Sequence, residues 1–366
     1  MIKQYYKQAL AQLRQHPLIS IIGIVGTALS IFLIMLVVMM QQVKVAPFSP
    51  ESNRNRFLHV HYMSISHKDW GNGTSNGPMS VQTAREVYKS LKTPEAVTVY
   101  CCMTVSTPVS LPGAPAIGAD VRETDDTFFH VFDFQFTDGK PYDEATFTAG
   151  RPVAVITESI SRALFGSIQS VGKEFLLSHA PYRVVGVVKD VSTLADMAYG
   201  QVWIPFTSTN LSNDTWSDNH MGMMSVTLLA HDREDFDEIR AEAKRRMNEY
   251  NSILADQGYT LIDRNRPYDQ ETQSISFAAN LEPDLKAARR ERVIIFIILL
   301  LVPAINLSSM TQSRLRQRVA EIGVRRAFGS TRIEMVGQIV MENLVITLLA
   351  GAIGLLISIL DRKSVV

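Results

Sequence analysis

"RLRQRVAEIGVRRAFGSTR", Arg314–Arg332, carries six arginines and one acid, Glu321, and lies between two of the most apolar runs in the chain. Neither the run before it, Val293–Met310, nor the run after it, Leu344–Leu360, contains a charged residue. A third and longer uncharged run, Leu18–Met40, lies near the N-terminus. About 20 apolar residues, rising about 1.5 Å each, span the hydrocarbon core of a bilayer, so all three runs read as membrane helices. Leu344–Leu360 is short enough to be a buried helix of a soluble core, but the polar pair Glu342 and Asn343 at its entrance favours a span. Whole-chain composition says none of this: 366 residues, formal net charge +0 and 46% hydrophobic would suit a globular protein of about two domains. No nucleic-acid partner is expected of so balanced a chain.

The first run has the basic approach of a secretory signal, with Lys3, Lys7 and Arg14 and no acid anywhere before Leu18. It is too long for the apolar part of a signal, usually about 7–15 residues. The best small residue after it, Ala46, has Lys44 two positions upstream and Pro47 directly behind. An uncleaved anchor is expected. Short loops rich in Lys and Arg stay in the cytoplasm, which places both the N-terminal tail and Arg314–Arg332 inside. Two spans separate them, so the two assignments agree, and residues from about 41 to 285 are exported. Arg289, Arg290 and Arg292 then fall on the outer side of the second span, where they read as headgroup anchors.

The exported part alternates in pattern. Arg56–Met63 reads as a strand, Ser80–Lys92 as a helix and Glu95–Thr104 as a β-rich run; later Ser225–Ala230, Arg233–Leu254 and Tyr259–Asp263 repeat strand, helix, strand. Between them, about 115–220, lie short β-rich runs such as "RPVAVI" and "YRVVGVV", with turn signals "DGKP" and "FGS". The fold class expected is a membrane protein with α-helical transmembrane segments and an α+β extracytoplasmic domain, a split βαβ lobe interrupted by a β-rich lobe. Cys101 and Cys102 are adjacent in a strand whose successive side chains alternate faces, so they are poorly placed to bond each other.

Catalytic chemistry finds little footing. "FGSIQSVGKE" has five residues between Gly166 and Gly172 where a phosphate loop has four, and Glu174 after Lys173 where it needs a hydroxyl. Ser170-x-x-Lys173 and Ser217-Asp218-Asn219 imitate two of three β-lactamase motifs, but no Lys-Thr-Gly follows. His59, His61 and His67 with Asp69 are the best metal candidates, and a polar strand face explains them more simply. No catalytic residue, metal or cofactor is expected.

The opening stretch holds more than charge. Val319, Ile322, Val324 and Phe328 alternate with Arg318, Arg325 and Arg326, and Glu321 can pair with Arg325 at i, i+4. Gly329 suits a helix stop, and Thr331 with Glu334 three residues on suits a capping box. A basic helix lying on anionic lipid would account for the arginines. It would not require the small residues Gly323, Ala327 and Gly329, which permit close docking of a partner.

"EIGVRRAFGS", Glu321–Ser330, resembles the cytoplasmic loop before the third membrane helix of MacB/FtsX-like permeases of ABC transporters. "FFHVFDFQFTDGKP", "RPVAVITESISRALFG", "VGKEF" and "YRVVGVVKDV" resemble that family's periplasmic core domain, and "INLSSM", Ile305–Met310, the end of its second helix. The resemblance implies a porter-like α/β lobe with an inserted β-rich lobe. It also implies a separate or fused ABC ATPase, pairing with a second permease subunit as homo- or heterodimer, and, in some members, a periplasmic adaptor. On the matching positions Arg318, Glu321, Ile322, Gly323, Arg325, Arg326, Ala327 and Gly329 become the ATPase-coupling residues. The layout expected is a cytoplasmic tail 1–17, membrane helix 18–40, extracytoplasmic domain 41–285, stalk and second helix 286–310, coupling region 311–338 and third helix 339–360. A continuous helix over Pro283–Met310 would be about 42 Å long and would project beyond the bilayer as a stalk, with Pro303 as its kink point.

The other classes fit less well. A membrane-anchored extracytoplasmic sensor or cell-envelope regulator would share the first two spans but needs a cytoplasmic signalling module, and a tethered enzyme needs a convergent polar site. The family has four membrane helices, and three are present here. Asp361–Val366, "DRKSVV", can be encoded as GAT CGG AAG AGC GTC GTG, which reads like a sequencing adapter, so a non-native tail and a missing fourth helix are expected. That would leave the Gly351-x-x-Gly354 surface, suited to close helix packing, facing lipid.

Overall fold

The computed structural model describes residues 17–317 and 319–365. The chain divides into two compact units, Val43–Asp284 and the flanking pair Met1–Gln42 with Leu285–Val366. Helix α1, Pro17–Val45, contains the first apolar run, and Ser30 inside it returns its hydroxyl to Gly26 O at 2.9 Å.

In chain order the larger unit then carries β1 (Phe57–Val60), β2 (Met63–His67), β3 (Thr74–Gly77), α2 (Val81–Ala84), β4 (Ala96–Cys101), β5 (Val105–Ser110) and β6 (Ile117–Thr124). Next come α3 (Phe128–Val131), β7 (Phe136–Gly139), α4 (Glu144–Thr148), β8 (Val153–Thr157), α5 (Glu158–Phe165), β9 (Glu174–Leu177), β10 (Ala180–Val188) and β11 (Val202–Pro205). The unit closes with β12 (Met224–Leu229), α6 (Phe236–Leu254), β13 (Tyr259–Ile262), β14 (Tyr268–Asp269) and α7 (Gln270–Gln273).

Two lobes share one sheet. In the first, β4, β12, β1 and β14 pair in that order, all antiparallel, with β12 and β4 in register from Met224↔Cys101 to Leu229↔Ala96. Val97, Val99, Val226, Leu228, Leu58 and Val60 pack against Ala84, Val87 and Tyr88 of α2 and its π-helical continuation Arg85–Lys89, and against Ile239, Ala243 and Met247 of α6. The strand expected over Arg56–Met63 is in fact two. Chain direction breaks at His61 and Tyr62, and β2 leaves for a small sheet with β3 and β13.

The second lobe is a closed barrel. Around it run β11, β8, β10, β9, β5 and β6, and β6 pairs back onto β11 in parallel through Val121↔Val202 to Thr124↔Pro205. Closure leaves no unpaired edge in this ring. Alternate residues fill the interior: Ala119 and Val121, Ala154 and Ile156, Phe175 and Leu177, Val202 and Ile204. The barrel begins with β5 at Val105, earlier than an insert boundary near 115. Its outer surface, with Val153, Val155 and Trp203, packs with α3 and with Phe57, Tyr100 and Leu229 of the first lobe.

The flanking unit continues with α8 (Leu285–Gln317), α9 (Val319–Ala327) and α10 (Arg332–Val365). At about 1.5 Å per residue, the 33 residues of α8 extend about 50 Å, and the helix passes through Pro303. Windows Ile21–Val45, Leu285–Ser313 and Arg332–Ile357 are long and apolar enough to cross a membrane. Glycines set their packing. A Cβ added to Gly26 would lie 2.8 Å from Asn306 Nδ2, and one on Gly354 would lie 2.9 Å from Ala28 O. Gly354 therefore faces α1 rather than lipid. Asn306 donates to Thr27 Oγ1 at 3.3 Å and Thr311 to Asn343 Oδ1 at 3.0 Å, so polar groups within the three helices find each other.

Candidate functional site

The segment on which the sequence places the expected coupling residues is α9 with the break behind it. Val324 O accepts from Phe328 N at 3.1 Å and Arg326 O from Gly329 N at 3.1 Å, and Gly329 turns the chain at φ +92°. A side chain is strained at that φ, so glycine makes the stop. Glu334 Oε2 then accepts from Thr331 N at 2.9 Å while Thr331 Oγ1 accepts from Glu334 N at 3.4 Å. This is the reciprocal capping box that starts α10.

At about 100° per residue, Ala320, Gly323, Val324, Ala327 and Phe328 fall on one side of α9. All five are exposed, Phe328 at 88%, and a Cβ placed on Gly323 meets nothing within 4 Å. The face is small at its centre and apolar at its margin. Ile322 is half-buried and Arg326 exposed. Arg318 lies outside the described residues, as do the side chains of Glu321 and Arg325, so the i, i+4 ion pair belongs to the sequence pattern alone. The other residues expected to couple stand on this helix and its stop.

The other motifs are not brought together. His59 is buried between Thr227 and Gln270, His61 accepts or donates at Ser225 Oγ, and His67 Nδ1 accepts from Asp69 N. Among the described residues no group of three or more His, Cys, Asp or Glu side chains could hold a metal. Ser170 is buried and accepts from Ser161 Oγ at 2.7 Å, while Lys173 sits over the Phe165 ring. Each has a structural partner. Cys101 closes β4 and Cys102 lies in the bend beyond it; both are free thiols, and the neighbouring Cys102 thiol lowers the Cys101 thiol to about 7 against the opposing effect of burial.

Sequence reasoning missed a cluster of buried charge in the larger unit. Glu51 is 1% exposed, Arg54 3% and Arg122 3%. Burial pushes the Glu51 carboxyl above the usual range, opposed by Arg54 and by backbone N–H groups of Ala198 and Met197. Burial also lowers Arg122, whose guanidinium donates to the carbonyls of Cys101, Asp196 and Tyr199.

Three apolar helices, a connecting helix and a two-lobed α+β domain define a membrane protein with an extracytoplasmic domain. Residues 18–246 match the MacB-like periplasmic core domain and residues 293–365 the FtsX-like permease C-terminal domain. The first match alone covers more than half of the chain, which belongs to the MacB/FtsX-like family of ABC transporter permeases, bacterial membrane proteins with a periplasmic domain. Over 244 residues it is 22% identical to the uncharacterized ABC transporter permease YknZ of Bacillus subtilis, an alignment covering 65% of this chain and 55% of that one. It is 24% identical over 244 residues to the macrolide export ATP-binding/permease protein MacB of Burkholderia cenocepacia, covering 66% of this chain and 33% of that one. The matched region thus spans about half of the first relative and a third of the second. Among solved structures, the periplasmic region of MacB from Actinobacillus actinomycetemcomitans matches at 19% identity and TM-score 0.38, over 56% of this chain and 88% of that one. The extracellular domain of YknZ from Gram-positive bacteria matches at 14% identity and TM-score 0.39, over 55% and 99%.

Proposed function

We propose that this chain is the permease subunit that couples ATP hydrolysis by a cytoplasmic ABC ATPase, carried on another polypeptide, to movement of its extracytoplasmic domain in export or efflux. The observation that carries the reading is α9: a helix between two membrane spans whose Ala320, Gly323, Val324, Ala327 and Phe328 face is exposed and small at its centre. A helix only resting on lipid headgroups would be served by the arginines alone. A partner surface approaches closely where side chains are small, and Phe328 is an aromatic of the kind enriched at interface cores. The N-terminus and α9 are on the cytoplasmic side, Val43–Asp284 is outside, and a second permease subunit completes the assembly. The chain itself needs no catalytic residue in this role.

The test is association with a co-expressed ABC ATPase from the source genome. Gly323→Trp and Glu321→Arg should each reduce co-purification at least tenfold while membrane insertion and yield stay at the parent level. Undiminished co-purification by both variants would remove α9 from the interface and the reading with it.

A further inference from the structure

The end of α1 is where the larger unit begins, and its last carbonyls have no helical N–H to accept from. They are taken up by side chains from two directions. Arg54 Nη1 donates to Val43 O at 2.5 Å and to Ala46 O at 3.1 Å, and Gln270 Nε2 donates to Lys44 O at 2.7 Å. A guanidinium at this end also answers the negative pole of the helix.

Neither residue stops there. Arg54 Nη2 donates to Leu194 O at 3.0 Å and Nε to Glu51 Oε2 at 2.6 Å, with the guanidinium over the Phe48 ring. The other oxygen, Glu51 Oε1, accepts from Met197 N and Ala198 N, both at 2.9 Å. From Gln270 the second path runs through His59 Nε2 at 2.8 Å, His59 Nδ1 to Thr227 Oγ1 at 3.1 Å and Thr227 to the Tyr100 hydroxyl at 2.9 Å, and the Tyr100 hydroxyl oxygen lies 3.3 Å from Met197 Sδ. Both paths leave the end of α1 and meet at Met197. That residue lies in the Leu194–Ala198 loop, between barrel strands β10 and β11.

We propose that Arg54 is the positioning residue that makes Val43–Ala46, at the end of α1, and the Leu194–Ala198 loop one mechanical body within the larger unit, held through a buried guanidinium. Three features separate this from an ordinary ion pair. All three guanidinium nitrogens are used, on four different partners. Both groups are almost wholly buried, so water cannot replace a lost contact. The partners Arg54 and Leu194 are 140 positions apart in the chain, so backbone connectivity does not hold their segments together. The inference deepens the role proposed above, since a permease that drives its exported domain needs such a link, but its test requires neither ATP nor an ATPase.

The experiment is hydrogen–deuterium exchange by mass spectrometry on the full chain in detergent, comparing the parent with Arg54→Gln and Arg54→Lys. The parent should protect peptides covering 43–47 and 194–198. Arg54→Gln should speed exchange at least tenfold in both segments together, while peptides from α6 and from β8 are unchanged. Arg54→Lys keeps the charge but presents one nitrogen, and should raise the same two segments together by a smaller factor. Faster exchange in one segment without the other, or in neither, would show that Arg54 does not join them. Should Arg54→Gln loosen every peptide, Arg54→Lys decides: a joint rise confined to the two segments supports the link, and a uniform rise overturns it.

Discussion

Acidification should weaken the larger unit through His59. Its ring is 1% exposed in β1, between β12 and β14. Gln270 presents Oε1 to Nε2 because its Nε2 is committed to Lys44 O, so His59 donates at Nε2 and accepts from Thr227 at Nδ1. That is the neutral tautomer fully satisfied. Protonation would put a charge where water does not reach. Burial accordingly lowers the imidazole from 6.5 to about 4, with Gln270 pulling the other way. A folded value below the unfolded one means the stabilisation is present above pH 6.5 and is lost as pH falls to about 4. At about 1.4 kcal/mol per pH unit, that interval is worth about 3 kcal/mol. For a domain of this size the loss amounts to about 6–12 °C in melting temperature.

The assay is thermal unfolding of the full chain in detergent, followed by near-ultraviolet circular dichroism between pH 7.5 and pH 4, for the parent and His59→Gln. Glutamine can accept and donate at this site but cannot charge. The comparison matters because other groups titrate here: burial also lowers His61, while it raises Asp125 and lifts Glu123 to about 7, which act in the opposite direction. All are common to both proteins, so only the difference between the curves belongs to His59. Parallel curves for the two proteins would refute the assignment.

Two further outcomes follow from packing. Trp203 is fully buried, donates to Ala198 O at 3.1 Å and packs edge-on to Phe134 with centroids 5.0 Å apart, so Trp203→Ala should cost about 3–5 kcal/mol in urea unfolding of the larger unit. Gly354→Leu should lower the detergent melting temperature, because its Cβ would lie 2.9 Å from the Ala28 carbonyl, whereas Gly337→Leu, with open space around it in the interior of α10, should not lower it.

Much of this molecule is legible in the sequence because the signals are local. An uncharged run as long as Leu18–Met40 has few readings other than a membrane helix, and the helical spacing of Phe236, Ile239, Ala243, Met247 and Tyr250 identifies the buried face of α6 without any partner being known. The stop at Gly329 and the Thr331–Glu334 box are equally local, and they appear where the pattern puts them. Arg56–Met63 reads as one strand because periodicity records that alternate residues are covered, not which sheet covers them. Leu58 and Val60 pack beneath α2 and α6 in the large sheet, whereas Ile65, on β2, is buried in the small one. Barrel closure is invisible for a related reason. It depends on β6 and β11, far apart in the chain, pairing in parallel, and neither strand differs in composition from one at an open edge.

The charged cluster shows the same limit from the other side. In "PESNRNRF", Pro50–Phe57, a carboxylate and a guanidinium three residues apart in a turn have the pattern of a solvated surface pair, worth under about 1 kcal/mol. What turns them into a buried junction lies elsewhere: the carbonyls left open where α1 ends, and a loop reaching in from the barrel with Leu194 O and the N–H groups of Met197 and Ala198. Each partner is a backbone group, and backbone groups carry no sequence signature. A buried charge satisfied by main chain is therefore the kind of site that sequence conceals most completely. It is also the kind that most constrains the fold, since a backbone carbonyl cannot turn to a new partner unless the segment bearing it moves. Arg54 thus reports on the positions of the end of α1 and the Leu194–Ala198 loop at once, and a rearrangement that separates them must first break contacts that neither water nor another side chain is placed to restore.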